Sequence, residues 1–250
     1  MSGADADDHR AAERIAAEAG DLLLALREDI ATGDDASSIK AEGDRRSHEL
    51  ISGRLRAEYP DDALLSEEGK DDDTRVRSRR CWIVDPLDGT REFGEPPRDD
   101  WAVHVALAIG GVAVCGAVAL PARDRVLSTA APPAPPPRRD RSLRLLVSRT
   151  RAPQIASDVA DALGADLVEM GSAGAKAMTV VLGDADAYLH SGGQYEWDSA
   201  APVAVAAAAG LHASRIDGSP LRYNRPNAYL PDLLICRPEL AGRITEITTA

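Results

Sequence analysis

The chain of 250 residues is 44% hydrophobic and 28% charged, a balance that is ordinary for a globular protein with a substantial core. Its formal net charge of −12 argues against a nucleic-acid polymer as a partner, because neutralising a phosphate backbone needs a basic surface. No stretch approaches the roughly 20 apolar residues of a membrane span, and the acidic N-terminus is no signal peptide, so we expect a cytoplasmic protein without a membrane partner.

The first part of the chain is predicted to form helices packed on a mostly antiparallel sheet, which is an α+β arrangement. An amphipathic helix is expected over residues 8–29, and a polar loop separates it from a second helix that begins near Asp44. Short apolar runs bounded by turn residues then predict strands at residues 63–66, 80–85, 101–109, 112–120 and 125–129.

A proline-rich tract interrupts this pattern. Residues 132–137 contain five prolines, which form neither a helix nor a central strand, so we expect an extended linker or surface excursion. We therefore predict an N-terminal metal-binding part at residues 1–137 and a C-terminal part at residues 138–250.

The C-terminal part is predicted to be α/β, because strand-like and helix-like segments alternate along it. The predicted strands lie at residues 143–148, 166–170, 185–190 and 232–236. The predicted helices lie at residues 153–163, 172–182, 199–209 and 238–248.

Three residue types are predicted to have structural roles. The cysteines are widely spaced in apolar runs and are expected to be buried, reduced thiols: Cys81, Cys115 and Cys236. The histidines lack the spacing of metal motifs and are expected at the surface or in packing: His9, His48, His104, His190 and His212. The tryptophans are expected to anchor the core: Trp82, Trp101 and Trp197.

The segment WIVDPLDGT, residues 82–90, ends an apolar run with two carboxylates three residues apart. Pro86 favours extended geometry at Asp85, so we expect the strand to end at Asp85 and a turn to bring Asp88 back beside it. With the carbonyl of Leu87, these carboxylates make a hard oxygen set that suits Mg²⁺.

The two residues that follow are suited to an anion. Gly89 permits close approach of a ligand, and its amide and that of Thr90, at the start of a short helix, could face a phosphate. The alternative is an ordinary capped turn, because aspartate and glycine are common turn residues.

Other acidic residues follow strands or begin helices elsewhere in the chain. Glu67 and Glu68 come after the apolar run ALLS, and Asp198 precedes a long apolar helix. Each has a plain alternative, as a solvated loop or a helix cap. Together they indicate a two-metal site, in which carboxylates from separate segments bridge ions about 4 Å apart.

At these residues the sequence resembles the inositol monophosphatase superfamily of metal-dependent, lithium-sensitive phosphatases. The superfamily signatures W-[IV]-[IV]-D-P-[IL]-D-G-T and W-D-x-A-A stand here as WIVDPLDGT (82–90) and WDSAA (197–201), and the upstream acidic pair as LLSEE (64–68). The resemblance implies a layered αβαβα architecture with the active site between the two parts.

Further segments resemble one branch of the superfamily, the CysQ-type phosphatases of 3′-phosphoadenosine 5′-phosphate (PAP). They are GTREF (89–93), VSRT (147–150), GSAGAK (171–176) and AVAAAAG (204–210). This resemblance implies Mg²⁺-dependent removal of the 3′-phosphate of PAP in sulfate assimilation, with PAPS as a related substrate. Inositol 1-phosphate and fructose 1,6-bisphosphate are the alternatives, because one metal core serves all of these esters.

The resemblance also implies roles for individual residues. The first metal would be held by Glu67, Asp85 and the Leu87 carbonyl, and the second by Asp85, Asp88 and Asp198. Glu67 and Asp44 correspond to groups that hold a third, weaker ion and the attacking water, and Thr90 would hydrogen-bond that water. The predicted catalytic residues are thus Asp44, Glu67 and Thr90, with two or three Mg²⁺ ions per site.

The predicted substrate contacts are Glu67, Leu87, Asp88, Gly89, Thr90, Ser172, Lys176 and Asp198. Lys176 and Ser172 could touch a distal phosphate or ribose hydroxyls, although either could be an ordinary helix-end residue. Asp44 has an alternative as well, because the chain reads KAEGD where the superfamily often has V-T-x-x-D. Asp44 would then only cap the second helix.

Two rival functions are weighed against this prediction. Phosphatases that form an aspartyl phosphate use D-x-D-G-T, whose two aspartates are two apart rather than three. The second rival is a catalytically inactive module that binds Mg²⁺ and a nucleotide. The full set of acidic residues, together with Thr90, favours an enzyme over such a module. A homodimer is conceivable, with the apolar stretch 101–120 as its surface.

Overall fold

Two five-stranded sheets alternate with layers of helices in this computed structural model, which describes residues 3–31, 35–138 and 140–250. The helices are α1 (Ala6–Ala31), α2 (Ala36–Glu58), α3 (Thr90–Phe93), α4 (Gln154–Leu163), α5 (Ala173–Val181), α6 (Glu196–Ala208) and α7 (Pro238–Thr248). The strands are β1 (Ala63–Ser66), β2 (Arg80–Asp88), β3 (Ala102–Ile109), β4 (Val112–Leu120), β5 (Arg125–Ser128), β6 (Leu143–Ser148), β7 (Ala165–Met170), β8 (Ala187–Tyr195), β9 (His212–Ser214) and β10 (Tyr229–Cys236).

The first sheet has the order β1-β2-β3-β4-β5, and only the β1–β2 pair is parallel. Its strands alternate between two cores, as the period of two in a strand requires. In β2, for example, Trp82 and Val84 pack with α1 and α2, whereas Cys81 and Ile83 face the opposite layer. The predicted mostly antiparallel sheet with packed helices is confirmed.

The second sheet has the order β7-β6-β8-β10-β9, with β6 parallel to both of its neighbours. One face packs on α4 and α7 through residues such as Val159 and Ile244. The other face packs on α5 and α6, which also cover the first sheet. The layers therefore run α, β, α, β, α, and the predicted architecture is confirmed.

One buried cluster joins the two sheets across this middle layer. It contains Ile83 and Val118 from the first sheet, Val205 from α6, and Leu146 and Ile235 from the second sheet. All strands of the first sheet come before the proposed boundary between residues 137 and 138, and all strands of the second sheet come after it. The apolar faces of the two sheets nevertheless share one core.

The proline-rich tract runs outside both sheets without regular secondary structure in its described residues. The carbonyl oxygen of Pro136 accepts a hydrogen bond from the Arg237 side chain at 3.1 Å. A Cβ on Gly183 would lie 2.4 Å from the Pro136 ring. The tract is therefore seated on the second half of the chain, as a surface excursion.

Several predicted boundaries were wrong. The second helix begins at Ala36 rather than near Asp44, because the Asp35 side chain caps it by accepting a hydrogen bond from the Ser38 amide at 2.9 Å. Part of the predicted polar loop, residues 32–34, lies outside the described residues. The strand β9 was not predicted, since three residues give too short a pattern.

The apolar stretch 101–120 does not supply the surface that a dimer was expected to use. Residues 102–108 and 115–120 are buried between the helical layers, and Val112, the first residue of β4, is 44% exposed. The expected burial of Cys81, Cys115 and Cys236 as free thiols is confirmed.

Gly116 allows α6 to lie directly on β4. A Cβ at this position would lie 3.1 Å from the Ala201 Cα and from the Ala204 Cβ, so the helix would have to move. We expect Gly116→Ala to lower the free energy of unfolding by about 1–3 kcal/mol in urea denaturation. Gly53→Ala is the matched control, because this glycine lies in α2 with open space around it. It should raise stability by up to about 1 kcal/mol. Equal effects of the two substitutions would contradict this packing.

In the part of the chain that the structure describes, no helix is long and apolar enough to cross a membrane.

Candidate active site

A bulge at the end of β2 turns two aspartates toward one side of the sheet. Asp85 lies opposite His104 and Asp88 opposite Ala102, so three steps along β2 match two steps along β3. The extra residue cancels the alternation that would otherwise place residues three apart on opposite faces. The strand thus continues to Asp88, and the prediction that it ends at Asp85 was wrong in its boundary.

Helix α2 lies against this bulge. A Cβ on Gly43 would lie 3.3 Å from the side chains of Leu87 and Phe93, and the Ser47 hydroxyl donates a hydrogen bond to the Pro86 carbonyl at 2.7 Å. The same contact brings Asp44 within hydrogen-bonding reach of Thr90. Asp44 lies inside the helix, so its alternative role as the helix cap was wrong.

Two further segments bring carboxylates to the same place. Glu67 follows β1, whose parallel pairing with β2 places it beside Asp85, and the two side chains share a hydrogen bond. Asp198 is the third residue of α6 and accepts a hydrogen bond from the Tyr195 amide at 2.6 Å. Ligand oxygens of Asp85, Asp88 and Asp198 all lie within 4.8 Å of one another.

This crowding changes the pKa values of the carboxyl groups. Burial, followed by the charges of Glu67, Asp88 and Asp198, raises the pKa of Asp85 well above its usual range. Burial and the charge of Asp88 raise the pKa of Asp198 to about 7. The pKa values of Glu67 and Asp44 are raised too, that of Asp44 to about 7, by burial and by neighbouring acidic groups. The cluster therefore resists ionisation unless positive charge is brought in.

Asp88 behaves differently, because polar groups surround its carboxylate. Burial opposes its ionisation, but His104, the Ser172 hydroxyl and the Gly174 amide together lower its pKa to about 2. Oδ2 accepts hydrogen bonds from Ser172 at 2.5 Å and Gly174 at 2.7 Å, and Oδ1 accepts one from the Ala173 amide at 3.1 Å. Oδ1 thus keeps a lone pair that a metal could use.

His104 is the residue of this site that the sequence did not indicate. Its Nε2 lies 3.2 Å from Asp88 Oδ2, and its Nδ1 donates a hydrogen bond to the Trp197 carbonyl at 3.0 Å. Burial lowers its pKa, but the charge of Asp88 outweighs this and raises it overall. Pairing of β2 with β3 positions His104, and no spacing within the sequence could have revealed a contact with Asp88, sixteen residues away.

Helix α3 begins at the residues for which a phosphate contact is predicted. Gly89 precedes it with a φ of 83°, a conformation that favours glycine, and Thr90 begins the helix. The Thr90 hydroxyl donates a hydrogen bond to the Leu87 carbonyl at 3.0 Å, and a Cβ on Gly89 would lie 3.1 Å from the Ser172 Cβ. The predicted short helix is confirmed, and Ser172 lies next to it.

Lys176 is also close, but its amino group points to the main chain. It donates hydrogen bonds to the carbonyls of Met170, Gly171 and Ser172 at 3.3, 3.1 and 2.7 Å, and burial lowers its pKa to about 8. This geometry does not favour the predicted contact of Lys176 with a substrate.

Trp82 and Trp101 are buried, as predicted, in the apolar cluster between the first sheet and helices α1 and α2. Trp197 is only partly buried, and its ring stacks on that of Tyr195 with centroids 4.8 Å apart.

The donor set fits divalent magnesium. The three side chains whose ligand atoms lie within 4.8 Å of one another, Asp85, Asp88 and Asp198, are all carboxylates, which supply the oxygen ligands that Mg²⁺ prefers. The raised pKa values of Asp85 and Asp198 indicate that these two carboxylates lack compensating positive charge, which a divalent ion would supply.

Comparison with known proteins shows the family to which this chain belongs. A model of the inositol monophosphatase family matches residues 6–132 and 138–249. The chain belongs to the inositol monophosphatase family. Residues 133–137 of the proline-rich tract fall between the two matched segments.

Within the inositol monophosphatase family, the chain is similar to named bacterial enzymes. It is 52% identical over 236 residues to the 3′-phosphoadenosine 5′-phosphate phosphatase of Mycobacterium tuberculosis, covering 90% of this chain and 86% of that protein. It is 30% identical over 233 residues to the 3′(2′),5′-bisphosphate nucleotidase CysQ of Escherichia coli, covering 87% and 94%. The crystal structure of CysQ from Bacteroides thetaiotaomicron superposes with a TM-score of 0.81 at 27% identity, covering 92% and 97%.

Proposed function

We propose that this protein is a Mg²⁺-dependent phosphatase that removes the 3′-phosphate of PAP and releases AMP and inorganic phosphate. The 52% identity to a PAP phosphatase, extending over 90% of the chain, is the observation that carries the substrate assignment. The convergence of Asp85, Asp88 and Asp198 supports the metal dependence. A role in sulfate assimilation and activity on PAPS are part of the same proposal.

The residues that would hold the ions are those at the end of β2 and their neighbours. Glu67, Asp85 and the Leu87 carbonyl would hold one Mg²⁺, and Asp85, Asp88 and Asp198 a second. Glu67 and Asp44 would hold a third, weaker ion. When bound, Mg²⁺ lowers the pKa of a water molecule and neutralises charge on the phosphate and the leaving oxygen.

The remaining groups position the reactants. The amides of Gly89 and Thr90 would hold the phosphate, next to Ser172. The Thr90 hydroxyl, with Asp44 behind it, would orient the attacking water and take part in moving its proton. Water oxygen bonds to phosphorus, the bond from phosphorus to the ribose 3′-oxygen breaks, and that oxygen receives a proton. No covalent enzyme intermediate forms.

The substrate assignment predicts an order of specificity. We expect kcat/KM for PAP to exceed that for inositol 1-phosphate and fructose 1,6-bisphosphate by at least about tenfold, the effect of about 1.4 kcal/mol of extra transition-state binding. Phosphate release from the three esters at one Mg²⁺ concentration measures it, with and without Li⁺, which is expected to inhibit. A preference for inositol 1-phosphate would overturn the assignment to PAP.

A cytoplasmic location and a homodimer are further proposals. The composition and the family resemblance motivate them. Size-exclusion chromatography with light scattering tests the dimer, and a mass of one chain at micromolar concentration would refute it.

A further inference from the structure

The side chain of Lys176 fastens the turn between β7 and α5. Helical side chains lean toward the N-terminus of their helix, and that of Lys176 reaches back to the carbonyls of residues 170, 171 and 172. An ammonium group has three protons, so each has a main-chain acceptor. The side chain is 4% exposed and lies 5.1 Å from the centre of the Tyr188 ring. No ion pair is seen between it and a carboxylate of the described residues.

The turn that Lys176 fastens contains a strained residue. Ser172 has φ 46° and ψ 129°, which side chains with a Cβ rarely adopt, so its surroundings must impose this conformation. The Ser172 carbonyl accepts its shortest hydrogen bond, at 2.7 Å, from the amino group of Lys176. The Ser172 hydroxyl accepts a hydrogen bond from the Ala175 amide at 2.9 Å, which fixes its direction.

This turn supplies most of the partners of Asp88. The Ser172 hydroxyl and the amides of Ala173 and Gly174 all donate to its carboxylate, and they come from three consecutive residues. If the turn relaxed, Asp88 would lose these partners together, and Oδ1, which keeps a lone pair for a metal, would change direction. Replacing groups that orient a metal ligand in this way commonly lowers metal affinity or activity by about 10–100-fold.

We propose that Lys176 is a positioning residue, which acts on the reaction through Ser172 and Asp88, and that it does not contact the substrate. The inference rests on the proposed function, in which Asp88 is a metal ligand. A methionine at position 176 has a similar length but no donors, so three buried carbonyls would lose their partner and the turn would be free to relax.

The test compares PAP with 3′-AMP, which has the same 3′-phosphate but lacks the 5′-phosphate. In Lys176→Met we expect kcat/KM to fall about 10–100-fold for both substrates, within threefold of one another, mainly through kcat. We also expect the Mg²⁺ dissociation constant, measured by calorimetry without substrate, to rise by about tenfold or more. Lys70→Met, at an exposed lysine, is the control and should change neither quantity.

Ser172→Ala provides a second variant in case Lys176→Met folds poorly. It removes one donor to Asp88 and should show the same pattern, with equal losses on both substrates and weaker Mg²⁺ binding. The double variant should lose less than the product of the two single losses, because both substitutions act through one carboxylate.

Two results would overturn the inference. One is a loss in Lys176→Met that is confined to PAP, appears in KM and leaves Mg²⁺ binding unchanged, which is the behaviour of a contact to the 5′-phosphate. The other is wild-type behaviour of a folded Lys176→Met protein on every measure. Failure of the proposed function is a separate outcome, since the wild-type protein would then not hydrolyse PAP with Mg²⁺.

Discussion

Replacing Asp85 with asparagine is expected to lower kcat/KM for PAP by at least about 100-fold, the scale of a dominant electrostatic contribution. Asp85 is the central carboxylate of the site, because it lies beside Glu67 and within 4.8 Å of Asp88 and Asp198. Its proposed role is to bridge both ions, and an amide cannot supply that charge. Phosphate release at saturating Mg²⁺ measures the loss.

The same substitution should leave the metal-free protein at least as stable as the wild type. Asp85 is buried among like charges, so removing its charge relieves repulsion. Asp232→Asn is the matched control. Asp232 is also buried, but it forms an ion pair with Arg215 away from the site, at 2.5 Å. This control should lower the melting temperature and keep the activity. A loss below threefold in Asp85→Asn would show that Asp85 is not a ligand.

Removing divalent metal with excess EDTA is expected to abolish phosphate release and to change how stability depends on pH. The pKa values of Asp44 and Asp198 are raised from 3.8 to about 7 in the metal-free protein. Their contribution to stability is therefore full below about pH 4 and is lost as the pH rises through 7. The metal-free protein should melt at a lower temperature at pH 8 than at pH 5.5.

Mg²⁺ should reverse this loss, and more at pH 8, because protons compete with the ion at pH 5.5. At 100 times its dissociation constant, Mg²⁺ adds about 2.7 kcal/mol to the free energy of unfolding. For a chain of this size that corresponds to about 5–10 °C in melting temperature. Asp85→Asn should lose most of the shift. An equal shift at both pH values, or activity in the presence of EDTA, would contradict the proposed mechanism.

The parts of the fold that could be predicted were those with a local physical signal. The apolar runs around Trp82 and Leu107 predicted their strands, and the glycine after Asp88 predicted a turn into a short helix. The start of α2 was misplaced because its first residues are mostly small and polar, so they do not show the 3.6-residue apolar period of an amphipathic helix. Its true cap, Asp35, is one acidic residue among several nearby.

The site was predictable only where residue type and motif spacing carry chemistry. Asp85, Asp88, Asp198 and Glu67 are carboxylates in recognisable surroundings, and the structure brings them together. His104 was missed because strand pairing, which no local pattern encodes, places it against Asp88. Lys176 was predicted at the substrate because a lysine near a phosphate suggests a charge contact. Its amino group instead turns back to the carbonyls of residues 170–172, a direction that the residue type alone does not indicate.

The helical layer shared by both sheets has a consequence for synthesis on the ribosome. The first 137 residues emerge before α5 and α6 exist, so the inner face of the first sheet, including Ile83 and Val118, stays uncovered meanwhile. Asp88 likewise has none of its partners from residues 172–174 at that stage. The nascent N-terminal half should therefore be a client for chaperones, and the second proposed metal site, which includes Asp198, should be complete only after translation of the C-terminal half.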